Sequence, residues 1–191
     1  MANIENLPQK LKPIISRMID DVDRLSTQVT SGKMSAVEWQ AEMQILISRY
    51  AQEATTAGAG RPDIAQLQAQ TERWKTLQFA YLDNFKNDIE ENGFLSIYRS
   101  RSQMYATALV GPYANGDVFR QAGRVLPLPA MPAEGTICHS NCGCSWEIVT
   151  INATGGDYDG YWRLGKTDNC QTCVQRAADW APIQIRGGEL V

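Results

Sequence analysis

At 191 residues, 43% of them hydrophobic, the chain can bury a core without covalent help, as one or two domains. A formal net charge of −3 argues against broad phosphate binding, which shows as a basic excess, and leaves room only for a local basic face. The first eight residues lack the basic start and apolar run of a signal peptide, and no later segment approaches the roughly 20 apolar residues that span a bilayer, so a soluble protein kept in a cytoplasm is expected.

From about residue 7 to residue 31, Leu11, Ile15, Met18, Val22, Leu25 and Val29 alternate spacings of four and three, which sets them on one stripe of a helix. The stripe reads as a bundle seam, or as a short coiled coil with another subunit. Pro8 suits a first turn, and Pro13 is close enough to the start to shorten or bend the helix. Ser35-Ala-Val-Glu38 has the form of a capping box, so a second helix should begin there and carry Trp39, Met43, Leu46 and Tyr50 inward. It is expected to dissolve in the glycine-rich connector of residues 55–60, and the short link between the two helices predicts antiparallel packing.

Arg61-Pro62-Asp63 should open a third, long helix that runs to Asn92-Gly93, with Ile64, Leu67, Trp74, Leu77, Tyr81, Phe85 and Ile89 on its apolar face. Asp83, Asp88, Glu90 and Glu91 near its end lack a histidine or a second carboxylate pair and read as a solvated acidic face. A fourth helix is expected from Phe94 to about Tyr113, ended by Gly111-Pro112 and carrying Arg99 and Arg101 beside Tyr98 and Tyr105. Two arginines among aromatics can bind nucleic acid, but on a single helix they more often make surface or inter-subunit contacts. Residues 114–117 carry a turn signal, and residues 118–123 suit a short helical turn. The proline-rich run of residues 125–136 cannot continue a helix and reads as a semi-rigid linker rather than a PxxP ligand.

All five cysteines fall after this linker: Cys138, Cys142 and Cys144 in C-H-S-N-C-G-C, then Cys170 and Cys173 in C-Q-T-C. Between them residues 145–151 alternate as a strand, residues 153–157 make a turn, and residues 158–164 return as a second strand. Asp168-Asn169 should cap a last helix running to Trp180 and ended by Pro182. Knuckle, hairpin and C-x2-C at a helix start is the treble-clef order of structural zinc sites. A hairpin and one short helix bury too little apolar surface below about 40 residues, so metal binding would supply folding free energy.

The helix start favours thiolates at Cys170 and Cys173. From the knuckle, Cys142 and Cys144 are the preferred ligands because residues two apart on an extended chain point the same way, with Cys138 as the alternative. His139, the only histidine, competes as a ligand, and five reduced thiols in a metal-free core remain the plain alternative.

Catalysis finds little footing. H-x-E and H-E-x-x-H are absent, as are a glycine-rich phosphate loop and G-x-S-x-G, and five thiols exceed what a catalytic zinc with an open position needs. A redox role for Cys170 and Cys173 would want a βαβ setting that this chain does not suggest. The expectation is a protein that is not an enzyme.

Arg101-Ser-Gln-Met-Tyr-Ala106, then Cys138-His-Ser-Asn-Cys-Gly-Cys-Ser-Trp146, Tyr161-Trp-Arg-Leu-Gly165 and Cys170-Gln-Thr-Cys173-Val-Gln-Arg-Ala177 together resemble the C-terminal half of tailed-bacteriophage head morphogenesis, or minor head, proteins. The resemblance covers roughly residues 98–180. It implies a virion component associated with the portal, either a minor head protein or a head-to-tail adaptor, made in the host cytoplasm and assembled with neighbouring head or neck proteins as a ring-like homo-oligomer.

The expected architecture is mainly α: a helical domain over residues 1–124, the linker over 125–136 and a zinc-stabilised β-hairpin and helix module over 137–191. The rival reading is a cytoplasmic zinc-ribbon-like module that binds nucleic acid or a protein partner.

Overall fold

The computed structural model describes residues 7–61, 65–136, 143–166 and 169–191, which form a mainly helical protein with a small antiparallel sheet near the C-terminus. Helix α1 (Lys12–Thr30) starts one residue ahead of Pro13, where a missing backbone donor costs nothing. Leu11, Ile15, Met18, Val22 and Leu25 of the expected stripe are buried, and Val29 packs at its edge. Helix α2 (Ala36–Ala59) opens on the expected capping box: the Glu38 amide donates to the Ser35 hydroxyl at 3.2 Å and the Ser35 amide donates to the Glu38 carboxylate at 2.8 Å.

The glycine-rich stretch expected to end α2 is instead its last turns. The helix continues through Gly58 and stops only at Gly60, whose φ of +72° forms a left-handed cap. Packing overrides the weak helix propensity here, and the partner is an element that the turn signals concealed. Residues 108 and 109 separate α4 (Ser96–Thr107) from α5 (Val110–Ala122). Gly111 and Pro112, expected to end a helix, lie in the first turn of α5, and the expected turn at residues 114–117 is helical.

Gly58 and Gly116 mark the crossing of α2 and α5. A Cβ on Gly58 would lie 2.1 Å from the Tyr113 carbonyl oxygen, and one on Gly116 would lie 2.2 Å from that of Thr55. The two glycines read as chain breakers from sequence are there because the backbones of two helices touch.

Helix α3 (Ala65–Asn92) is a single long spine that ends before Gly93. Its buried side is Leu67, Thr71, Gln78, Leu82, Phe85 and Ile89, whereas Leu77 and Tyr81 of the expected apolar face are exposed. The seam follows Thr71 and Gln78, polar residues that a hydrophobicity count passes over; Thr71 shares a hydrogen bond with Thr55 of α2 at 3.2 Å. Ile64 and the Pro62-Asp63 start lie outside the described residues. Trp39, Phe85, Tyr98 and Phe94 form a chain of edge-to-face ring contacts that ties α2, α3 and α4 into the main core.

The sheet is a meander in the order β1 (Ser145–Asn152), β2 (Asp157–Arg163), β3 (Ile183–Arg186), β4 (Glu189–Leu190). The expected hairpin is present, with Trp146 opposite Trp162 and Ile148 opposite Gly160. Strands β3 and β4 extend it beyond expectation; Ile185 is their one buried side chain, too sparse an apolar pattern to read as a strand pair. Helix α6 (Gln171–Asp179) lies between β2 and β3.

The sheet rests on α5. The Gln121 side chain accepts from the Ile148 amide at 2.8 Å and donates to the Trp146 carbonyl at 3.1 Å, so one side chain bonds the edge of β1 as a neighbouring strand would. The Tyr158 hydroxyl donates to the Ala122 carbonyl at 3.1 Å. The proline-rich stretch is irregular, as expected, and it is packed: Leu126 and Ala130 are buried, and the Trp146 indole donates to the Ala130 carbonyl at 2.9 Å.

Candidate cysteine centre

Three of the five predicted cysteines lie among the described residues, and they share one core. Cys144 stands just before β1 and is buried; Cys173 is in the first turn of α6 and fully buried; Cys170 is the N-cap of that helix and half-buried. All three belong to the cluster that contains Trp146, Trp162, Tyr158 and Ile185. Cys138, Cys142 and the competing His139 lie outside the described residues. Among the described residues no three His, Cys, Asp or Glu side chains are grouped closely enough to hold a metal ion.

The local frame around these thiols is built from backbone proximity and one amide. Gly165 approaches Gly143 so closely that a Cβ on it would sit 3.0 Å from the Gly143 carbonyl group, which brings the end of β2 against the start of β1. Asn169 then joins the two ends: its amide donates to the Gly165 carbonyl at 2.9 Å, and its side-chain oxygen lies 3.8 Å from the Cys144 thiol. The expected cap at Asp168-Asn169 is thus displaced by one residue. Cys170 takes the extended N-cap conformation (φ −71°, ψ 159°), and the Asn169 side chain is engaged with Gly165 just after β2.

The wall of the centre is aromatic. Trp146 stacks on Trp180 with centroids 5.6 Å apart, and Trp162 meets both edge-on at 5.3 and 5.5 Å. Arg176 lies over the rings of Trp162 and Trp180 at 5.3 and 4.9 Å. Reading the sequence missed Arg176 and Gln121 as builders of this frame and gave Asn169 the role of a helix cap. Only Asn169 carried a signal, as the neighbour of Cys170.

No family model, curated protein or solved structure matches the chain. The site therefore rests on its residues.

Of the charged candidates elsewhere, Arg99, Arg101, Asp83, Asp88 and Glu90 each have a side-chain partner. Arg99 forms a two-pronged pair with Asp23 at 3.0 and 2.6 Å, and Gln103 adds a third donor at 2.8 Å. The Arg99 hydrogen bonds hold the Asp23 carboxyl below the usual carboxylate range. Arg101 pairs with Asp88 and lies 4.1 Å over the Phe85 ring. Burial pushes the Asp21 carboxyl up, but hydrogen bonds from Tyr50, Arg24 and Arg49 outweigh it and keep it depressed. Asp83 accepts from Gln40, and Glu90 pairs with Lys86 at 3.0 Å. Among the described residues no helix is long and apolar enough to cross a membrane.

Proposed function

We propose that the protein is a structural component of a tailed-phage virion at or near the portal, a minor head protein or head-to-tail adaptor that acts through assembly rather than chemistry. The observation that carries this reading is the convergence of the family-like residues. Cys144 and Trp146 of the N-C-G-C-S-W stretch, Trp162 of the second strand and Cys173 of the C-x2-C pack in one core. A resemblance scattered along the sequence thus becomes one folded unit. The engagement of Arg99 and Arg101 with Asp23 and Asp88 also speaks for protein contacts over nucleic-acid contacts, since phosphate would have to displace those carboxylates.

Within this reading, zinc is held by Cys142, Cys144, Cys170 and Cys173, with Cys138 as the alternative to a knuckle ligand. The ion would supply a fixed tetrahedral node and hence folding free energy for the module. The buried thiols of Cys144 and Cys173, one beside β1 and one in the first turn of α6, suit such a node. The helical part supplies the surfaces for a homo-oligomeric ring and for the portal or neighbouring head and neck proteins. The protein would be made in the host cytoplasm and end in the virion.

Native mass spectrometry of the purified full chain tests the reading: it predicts a discrete oligomer with one zinc ion per chain. A strict monomer whose affinity for DNA falls steeply with salt would favour the zinc-ribbon-like rival instead.

A further inference from the structure

We infer that Cys170 and Cys173 are a redox-active dithiol, which a small disulfide such as glutathione disulfide converts into a disulfide across the first turn of α6. The inference goes beyond the structural role proposed above and requires no metal. Gln171 and Thr172, the two residues between the cysteines, open the helix. Helical backbone angles at these two residues set the Cα separation of Cys170 and Cys173 at about 5 Å, inside the window that a disulfide needs. The sheet is antiparallel, so this is not the βαβ setting of thioredoxin-like pairs; the turn itself supplies the geometry.

The start of α2 shows how side chains meet on such a turn. Ser35 is the N-cap of α2 at φ −76° and ψ 164°, as Cys170 is the N-cap of α6 at φ −71° and ψ 159°, and Glu38 follows Ser35 by three residues as Cys173 follows Cys170. The Ser35 γ-oxygen lies 3.2 Å from the Glu38 amide nitrogen and 2.8 Å from the Glu38 carboxylate. A γ-sulfur on the same backbone starts from the same place, beside the residue that closes the turn.

Burial divides the work between the two thiols. Cys170 is half-buried, whereas Cys173 is fully buried in the cluster of Trp146 and Trp162. An exchanging pair needs one thiol that a dissolved disulfide can reach and a second that its neighbour can reach. The Cys170 thiolate attacks one sulfur of glutathione disulfide; that S–S bond breaks, and one glutathione leaves and takes up the proton that Cys170 released. Cys173 then attacks the Cys170 sulfur, the Cys170–Cys173 bond forms, and the second glutathione leaves with the Cys173 proton. Two electrons and two protons have passed from the pair to glutathione. The product is a reversible lock on the start of the helix that joins β2 to β3.

The experiment exposes the full-length chain to glutathione disulfide with a metal chelator present, alkylates the remaining thiols and maps the tryptic peptides. Lys166 and Arg176 enclose Cys170 and Cys173 in peptide 167–176, whereas the other three cysteines fall between Arg124 and Arg163 in peptide 125–163. Peptide 167–176 should be unalkylated, lighter than the dithiol by two hydrogens and not linked to peptide 125–163. An excess of reduced glutathione should restore the dithiol. Samples quenched early with acid should carry glutathione on Cys170, and Cys170→Ser should slow attachment of glutathione at Cys173 about tenfold or more, with unchanged far-UV circular dichroism.

A cross-link between the two peptides as the main product would overturn the inference, as would a peptide 167–176 that stays fully alkylated while a denatured control is oxidised. So would a Cys170→Ser chain that takes up glutathione at Cys173 as fast as native. Should Cys170→Ser unfold, an early glutathione adduct on Cys173 of the native chain does the same.

Discussion

The helical bundle and the cysteine module solve the same problem with different means. The bundle buries long aliphatic seams from α1 and α2 against Leu82, Phe85 and Ile89 of α3, so its core is built chiefly from apolar burial. The module has a small core in which tryptophans and cysteines replace leucines, and it leans on Val118 of α5 and Leu126 of the linker to complete it. Where apolar area is scarce, side-chain hydrogen bonds to backbone take over: Gln121 on β1, Asn169 on Gly165, Arg176 on Glu134 and Gly135. The bundle should therefore tolerate loss of single polar contacts, and the module should not.

The strongest break in this comparison is Cys173→Ser, which puts a hydroxyl in a fully buried thiol position at the start of α6. Hydrogen exchange followed by mass spectrometry should show the amides of β1, β2 and α6 exchanging near unfolded rates while α1 and α2 keep their protection. Equal protection throughout would mean that the module needs no thiol cluster.

Next in size is Gly116→Ala, which forces a methyl group to within 2.2 Å of the Thr55 carbonyl oxygen. Urea unfolding should show a loss of about 3 kcal/mol or more, because backbone cannot step aside as a side chain can. Gly123→Ala, in open space but at φ +72°, should cost only about 1 kcal/mol.

Gln121→Ala should cost about 1–2 kcal/mol by leaving the Ile148 amide without its partner, and the loss should fall on the sheet rather than the bundle. Exchange at the Ile148 amide reads it directly.

Smallest is Asp23→Asn, at on the order of 1 kcal/mol near neutral pH, since the Arg99 pair is partly exposed. The sign of its pH dependence follows from the depressed carboxyl. Its contribution is complete well above the unfolded value of 3.8 and is lost as pH falls through the lower folded value. The stability gap between native and Asp23→Asn should therefore close below about pH 3.8.

How much of this was legible in the sequence also divides between the regions. The seam of α1, the capping box at Ser35 and the β1–β2 hairpin follow from periodicity and local chemistry, and each stands where those rules put it. The glycines misled. Gly58, Gly111 and Gly116 lie within helices, two of them at a backbone contact that no local window can see, so α5 was hidden behind apparent turns. On α3 the buried line runs through Thr71 and Gln78, which pair or pack by tertiary context rather than by hydrophobicity. At the cysteine centre Cys144, Cys170 and Cys173 share one core, as the spacing suggested, but Arg176 bonds backbone carbonyls some forty residues away, a relation with no sequence signature. Strands β3 and β4 are short and mostly exposed, so alternation gave nothing to follow.

The most direct test of the central claim is electron cryomicroscopy of the native particle or of the purified full-length oligomer. The account predicts a closed ring at or near the portal, with the helices forming the contacts between copies and the cysteine module ordered around a metal density. A monomer that neither assembles nor joins particles, and that binds DNA tightly at low salt, would contradict it.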